Sequence, residues 1–183
     1  TAMALESGAD LVVELPPIFA SSSAEDFASC GVALLDALGV VSHLCFGSES
    51  GNLEELSSAA DLLAVESEEY QQVLRQHLKD GYPFPQARAA AFSFCSPKTD
   101  PELLSQPNNT LGIEYLKAIK KQNSPVTPVT IKRMGSGYHE AVISSDQPMA
   151  SATAIRAVLE SRTVDDFKES NLLLASQIPP AAL

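Results

Sequence analysis

The sequence predicts an α/β fold in which helices connect the strands of a parallel sheet. Apolar runs of strand length alternate with segments of helical length, and loops rich in glycine or proline separate them. This order is typical of parallel sheets, because parallel neighbours need a crossover connection. The chain has 183 residues, of which 45% are hydrophobic, and is therefore long enough for one domain with a substantial core.

The first part of the pattern is a helix end followed by a strand. Residues 1–10 are typical of the last turns of a helix that is closed by Gly8. The apolar run 11–13 follows at once and predicts a buried strand. Pro16 and Pro17 end that strand, because proline cannot continue a strand ladder.

A second helix and a second strand complete a crossover unit. Ser23 has the position of a helix cap, and the mostly apolar segment after it ends at Gly39. The run 40–46 predicts a second buried strand, which stops at the glycine-rich loop 47–51. Open parallel sheets bind ligands beyond the carboxyl ends of their strands, so this loop is a candidate ligand-binding segment.

The remaining chain is predicted to be mainly helical. We expect helices over residues 53–95 with a break near Gly81, and we interpret residues 53–106 as a helical insertion within one domain of residues 1–183. The further predicted elements are a helix over 111–121 capped by Asn109 or Thr110, a strand over 127–132, a helix over 151–159 and a short helix after Thr163.

Charge is distributed unevenly along the chain. Residues 1–74 contain thirteen Asp and Glu and no Lys or Arg, so residues 75–183 sum to +2 within a formal net charge of −11. An acidic first part repels phosphate chains, so a nucleic-acid contact would use later residues. Ordinary solvated surface explains the same distribution.

Two features bound the environment of the protein. No segment approaches the roughly 20 apolar residues of a membrane span, and no signal-peptide pattern begins the sequence, so we expect a cytoplasmic location and no membrane partner. Cys30, Cys45 and Cys95 stand far apart without the spacing of metal ligands. We interpret them as reduced core residues and expect no metal held by the protein itself.

The strongest candidate site is a helix N-terminus late in the chain. Ser151 and Thr153 lie where free backbone N–H groups and the helix dipole attract an anion, and Arg156 follows one turn later. This pattern predicts a phosphate site. Helix capping by Ser151 beside a surface arginine explains the same residues.

Weaker candidates follow predicted strands or precede a predicted helix. Gly47 would let a nucleotide approach the backbone, Asn108 offers an amide to a base or ribose, and Arg133 offers a guanidinium to phosphate. Turn chemistry explains the asparagines equally well. His139 is a weak candidate acid or base, and paired carboxylates, a Ser-His-Asp order and a Walker loop are absent from the sequence.

Several of these motifs, taken in order, resemble the bacterial tRNA(Met) cytidine acetate ligase family. The resemblance covers nearly the whole chain and rests on GADLVVELP, FGSE, PNNTLGIEYLKAI, IKR with GYHE, and ASATAIR. The last segment resembles the S-x-x-x-I-R phosphate motif of adenylyltransferases. The resemblance implies a Rossmann-like nucleotidyltransferase core that activates acetate with ATP, with Mg²⁺, and acetylates N4 of the wobble cytidine of elongator tRNA(Met).

The same resemblance assigns residues to ATP. Gly47, Asn108 and Arg133 match ATP-contacting positions of the family, and Ser151, Thr153 and Arg156 match its phosphate motif. The family's His-x-Gly-His segment, with its strand and helix, should precede residue 1, and the C-terminal part is also absent. We therefore expect this polypeptide to have little or no activity, and the catalytic residues and oligomeric state stay open.

Two alternatives also stay open. One is an adenylyltransferase that makes a nucleotide cofactor, and the other is a catalytically silent fragment or interaction module. Acetate-dependent use of ATP would count against the first, and ATP binding itself would count against the second.

Overall fold

The computed structural model describes residues 1–97, 99–100, 102–133 and 152–160, together with the single positions 175 and 178. The chain forms two compact units. One comprises Thr1–Glu14 and Met134–Leu183, and the other comprises Leu15–Arg133.

The first unit contains two described helices, α1 (Ala2–Glu6) and α8 (Ala152–Glu160). Gly8 follows α1 with φ of +103°, which confirms the predicted helix end. The strand predicted over residues 11–13 is wrong. Residues 11–13 pair with no strand of the described part of the chain, and their side chains are 38–64% exposed. A strand forms only where a neighbour accepts its hydrogen bonds.

The second unit begins with α2 (Pro17–Ala20) and α3 (Ala24–Leu38). The Ser23 hydroxyl accepts a hydrogen bond from the Asp26 backbone N–H at 3.2 Å, as the sequence predicts for a cap. Gly39 ends α3 with φ of +68°, a conformation that glycine adopts without strain.

The strands β1 (His43–Ser48) and β2 (Thr127–Lys132) form a parallel pair, which confirms the predicted sheet type. The predicted strand 40–46 is wrong in its bounds, since β1 starts three residues later and extends into the predicted loop. It is buried on one face only, where Phe46 packs, whereas Cys45 is exposed. The prediction of a core residue is therefore wrong for Cys45; Cys30 and Cys95 are half-buried, and all three thiols are free.

Four further helices follow β1: α4 (Leu53–Val65), α5 (Glu68–Lys79), α6 (Phe84–Cys95) and α7 (Pro107–Gln122). Helix α7 packs on β1, α3 and α4, and α5 packs on α6. The break near Gly81 is confirmed. The sequence analysis missed a second break at Glu66, which ends α4 with φ of +43°.

Helix α7 begins four residues before the predicted start. Pro107 takes its first helical position, where the missing N–H costs nothing. Asn109 and Thr110 therefore lie inside the first turn, and the prediction that one of them caps the helix is wrong. The predicted strand over residues 127–132 matches β2. The predicted helix over residues 151–159 matches α8, the last described helix.

The core lies between the helices and the covered face of the sheet. Its members, apolar and buried, are Phe46, Leu56, Ala59, Ala60, Leu63, Tyr70, Ala91, Phe92, Leu103, Ile113 and Leu116. The carboxylate of Glu114, also buried, is paired with Arg88 at 2.8 Å and Lys117 at 2.7 Å, as a buried charge requires.

Gly112 on α7 allows close contact with the sheet. A Cβ at this position would lie 2.6 Å from Cε2 of Phe46, whose ring is buried. We expect Gly112→Ala to lower the free energy of unfolding by about 1 kcal/mol or more, because overpacking displaces the ring. Urea unfolding measured by circular dichroism checks this value.

Gly31 on α3 provides the matched control. Its added Cβ would meet only Tyr115 Cε1, at an ordinary 3.8 Å. Gly31→Ala should therefore stabilise the chain by about 0.5–1 kcal/mol through helix propensity. Equal effects of the two substitutions would contradict the packing described for Gly112.

Candidate functional site

The carboxyl ends of β1 and β2 lie side by side, because parallel strands in register end at the same edge. Ser48 pairs with Lys132, and the backbone N–H of Arg133 extends the ladder to the Ser48 carbonyl at 2.8 Å. Loop 48–51 and the start of α7 lie at this edge. We refer to Gly47, loop 48–51, Asn108 and Arg133 as the strand-end site.

Glu49 joins the loop to α7. Its Oε1 accepts from the Asn108 backbone N–H at 3.2 Å and from Asn108 Nδ2 at 2.6 Å, while Oε2 accepts from the Asn109 backbone N–H at 2.8 Å. The first N–H groups of a helix have no partner within it, and Gln106 provides no side-chain cap. A carboxylate from a distant loop therefore supplies the cap and faces the positive end of the helix dipole.

Asn109 returns a hydrogen bond to the same loop. Its Oδ1 accepts from the Ser50 backbone N–H at 3.0 Å, and its side chain is only 3% exposed. Loop and helix are thus joined in both directions, by the Glu49 carboxylate and by the Asn109 amide. This exchange explains two adjacent asparagines in the first turn of α7 better than turn chemistry does.

A chain of hydroxyl groups fixes the other side of the loop. Thr130 Oγ1 donates to the Phe46 carbonyl at 3.2 Å, and Ser48 Oγ lies 2.7 Å from Thr130 Oγ1. Ser48 Oγ also accepts from the Gly51 backbone N–H at 3.0 Å. If Thr130 donates to the carbonyl, Ser48 donates to Thr130, so every hydroxyl proton in the chain has one acceptor.

Gly47 and Arg133, which the sequence analysis selected separately, are neighbours. A Cβ at Gly47 would lie 3.2 Å from Cγ of Arg133 and 3.7 Å from its Cδ. The absence of a side chain at Gly47 therefore gives the arginine stem room to lie over the end of β1. The guanidinium carries a charge that no ion pair within the described residues neutralises.

The remaining predicted residues belong to the other unit or lie outside the described residues. Thr153 and Arg156 are exposed on α8, in the other unit, and Ser151 and His139 lie outside the described residues. His43 begins β1, at the opposite end of the strand from the site.

Electrostatics distinguish two sides of the strand-end site. A cavity of about 180 Å³ beside Glu49 is lined partly by the carboxylates of Glu55, Asp100 and Glu102, which repel phosphate. The Gly47 side instead carries Arg133. Burial raises the pKa of Tyr70 and of Tyr115, and neither residue lies in this site.

The sequence analysis missed Glu49 as a site residue, although it lies within the FGSE motif. Two features could have indicated its role: Glu49 is an acidic residue directly after a strand, and the first turn of the later helix α7 contains no acidic residue. Within the described part of the chain, no three His, Cys, Asp or Glu side chains form a group suited to a metal ion. No described helix has both the length and the apolar composition to cross a membrane.

A parallel pair of strands with helices in the connection defines a protein of the α/β class, whose members bind ligands beyond the carboxyl ends of their strands. The chain belongs to the family described as HIGH Nucleotidyl Transferase, whose model matches residues 1–182.

Several curated relatives are named tRNA(Met) cytidine acetate ligase. The chain is 40% identical over 174 residues to the one from Clostridium perfringens (strain SM101), which covers 91% of this chain and 43% of the relative. It is 38% identical over 185 residues to the one from Acetivibrio thermocellus, covering 100% of this chain and 43% of the relative. The chain therefore spans less than half the length of these relatives.

Solved structures confirm the predicted fold class. Apo Thermotoga maritima TmcAL (form I) aligns with a TM-score of 0.84 at 34% identity, covering 98% of this chain and 42% of that one. The same protein bound with alpha-thio ATP (form II) aligns with a TM-score of 0.78 at 34% identity, covering 98% of this chain and 40% of that one.

Glu49→Gln tests the connection between loop 48–51 and α7. The neutral amide loses the charge that faces three N–H groups, so we expect the free energy of unfolding to fall by about 1–3 kcal/mol. The backbone N–H groups of Ser50 and Asn109 should also exchange faster with deuterium, because the loop opens more often.

Glu54→Gln is the matched control, because Glu54 is an exposed carboxylate in the first turn of α4. It should change stability by less than about 0.5 kcal/mol. If both substitutions have the same effect, Glu49 acts only as a negative charge near a helix and does not connect the loop to α7.

Proposed function

We propose that this chain binds ATP as the nucleotidyltransferase part of a tRNA(Met) cytidine acetate ligase. Family membership, relatives of that name at 38–40% identity, and similarity to a protein solved with alpha-thio ATP support this function. The observation that carries the proposal is the position of the Arg133 stem at the strand ends, where a Cβ added to Gly47 would lie 3.2 Å from Cγ of Arg133.

Each residue of the strand-end site has a role in this proposal. Gly47 allows the nucleotide to approach the backbone of β1, and Arg133 neutralises phosphate charge with a forked donor. Asn108 uses one amide hydrogen on Glu49, and the rest of its amide would bind the nucleoside. The resemblance assigns the phosphate end of ATP to Ser151, Thr153 and Arg156.

The proposed reaction proceeds in two transfers. An oxygen of acetate attacks the α-phosphorus of ATP, and pyrophosphate leaves with the electron pair of the broken P–O bond. N4 of the wobble cytidine of elongator tRNA(Met) then attacks the acetyl carbon, AMP leaves, and the amine loses a proton. The protein contributes mainly position and positive charge, which stabilise the charge that develops on the leaving phosphates.

Mg²⁺ would enter with the nucleotide. Glu49, the carboxylate at the strand ends, directs both oxygens at α7, and no group of metal ligands occurs among the described residues. Magnesium commonly uses substrate phosphates and water for most of its coordination, so this residue set fits a magnesium–ATP complex. Bound in this way, Mg²⁺ would neutralise phosphate charge.

Calorimetric titration of the chain with magnesium–ATP tests the binding role of both arginines. We expect Arg133→Ala and Arg156→Ala each to raise the Kd for ATP about 10- to 100-fold, because each removes a charged hydrogen-bond donor. Arg75→Ala, which removes the same charge from an exposed position on α5, should leave the Kd within about twofold. No binding of ATP to the unaltered chain would contradict the proposal.

The exchange of labelled pyrophosphate into ATP separates the two enzyme classes. The protein is incubated with ATP and labelled pyrophosphate, with acetate or a mononucleotide added. Label that enters ATP only when acetate is present supports the ligase, whereas label that enters ATP only when a mononucleotide is present supports a cofactor adenylyltransferase.

A further inference from the structure

Lys132 is a second cation at the strand-end site, next to Arg133 in sequence. It is the last residue of β2, pairs in register with Ser48, and is exposed. Two other lysines of this unit are neutralised, since Lys117 pairs with Glu114 and Lys120 with Asp61. Within the described residues, Lys132 takes part in no such ion pair.

The stem of Lys132 lies directly against loop 48–51. Gly51 has φ of +65°, and a Cβ there would lie 2.5 Å from Cβ of Lys132 and 3.0 Å from its Cγ. The loop that makes this contact is itself held by Ser48, Glu49 and Asn109. The first carbons of the lysine are therefore fixed, so less side-chain entropy is lost when its ammonium group binds an anion.

The two cations stand on opposite sides of the strand ends. Successive residues of an extended chain project to opposite faces, so Arg133 lies over Gly47 while Lys132 lies over Gly51. Glu49, the carboxylate of loop 48–51, has both oxygens on α7 and forms no ion pair with Lys132. An anion at the strand ends would meet positive charge from both sides.

We propose that Lys132 binds the β- and γ-phosphates of ATP, the part of the nucleotide that leaves as pyrophosphate. The inference rests on the proposed function, because it assumes that ATP occupies the strand-end site. Arg133 would then bind phosphate oxygens through its forked guanidinium, and Lys132 would bind the polyphosphate through a single ammonium charge.

The test compares ligands that differ only in their phosphates. The Kd values of ATP, inorganic pyrophosphate and AMP are measured by calorimetry for the unaltered chain, Lys132→Met and Lys132→Arg. Methionine keeps a stem against Gly51 but removes the charge. We expect Lys132→Met to raise the Kd of ATP and of pyrophosphate about tenfold or more, and to change the Kd of AMP less than about twofold. Lys132→Arg, which keeps the charge, should restore most of the lost affinity.

Lys121→Met, an exposed lysine in the last turn of α7, is the control and should change none of the three constants. If the unaltered chain binds ATP but Lys132→Met raises the Kd of AMP and ATP equally, or raises neither, the result would overturn the role of Lys132 and leave the proposed function intact. Failure of the unaltered chain to bind ATP would overturn both.

Discussion

The bond between the Glu49 carboxylate and the N-terminus of α7 is the constraint on which the strand-end site depends. Glu49 and Asn108 are 59 residues apart in sequence, yet one carboxylate accepts from three N–H groups of the helix start. The helix gains a charged cap, and the loop gains a fixed position beyond β1. Without this bond, the loop would depend on the hydrogen bond from the Ser50 backbone N–H to Asn109 Oδ1 for its connection to α7.

The hydroxyl chain and the glycines extend this constraint to β2. Ser48 and Thr130 join the two strands at their ends, and Gly51 brings the loop into contact with the stem of Lys132. Gly47 has the corresponding role for Arg133. The backbone of the strand-end site is therefore held in place by hydrogen bonds, and Lys132 and Arg133 lie against it. Most of its polar atoms have hydrogen-bond partners before any ligand binds. Such preorganisation lowers the entropy lost on binding an anion.

Local signals allowed much of the fold to be predicted from sequence. Ser23, Gly39 and the apolar periodicity gave α3 nearly to the residue, because caps and periodicity act within one turn. The predictions of a strand at residues 11–13 and of the start of α7 were wrong. Both depend on tertiary contacts, namely a pairing partner for the strand and a cap from a distant loop for the helix. For the site, the resemblance selected Gly47, Asn108 and Arg133, but the role of Glu49 depends on a contact that no local pattern encodes.

A crystal structure of this chain with alpha-thio ATP tests the central claim most directly. We expect the nucleotide to lie at the carboxyl ends of β1 and β2, with phosphate oxygens within hydrogen-bond distance of Arg133 and the Glu49 contacts to α7 unchanged. A nucleotide bound elsewhere, or a loop 48–51 that has left α7 in the complex, would contradict this claim.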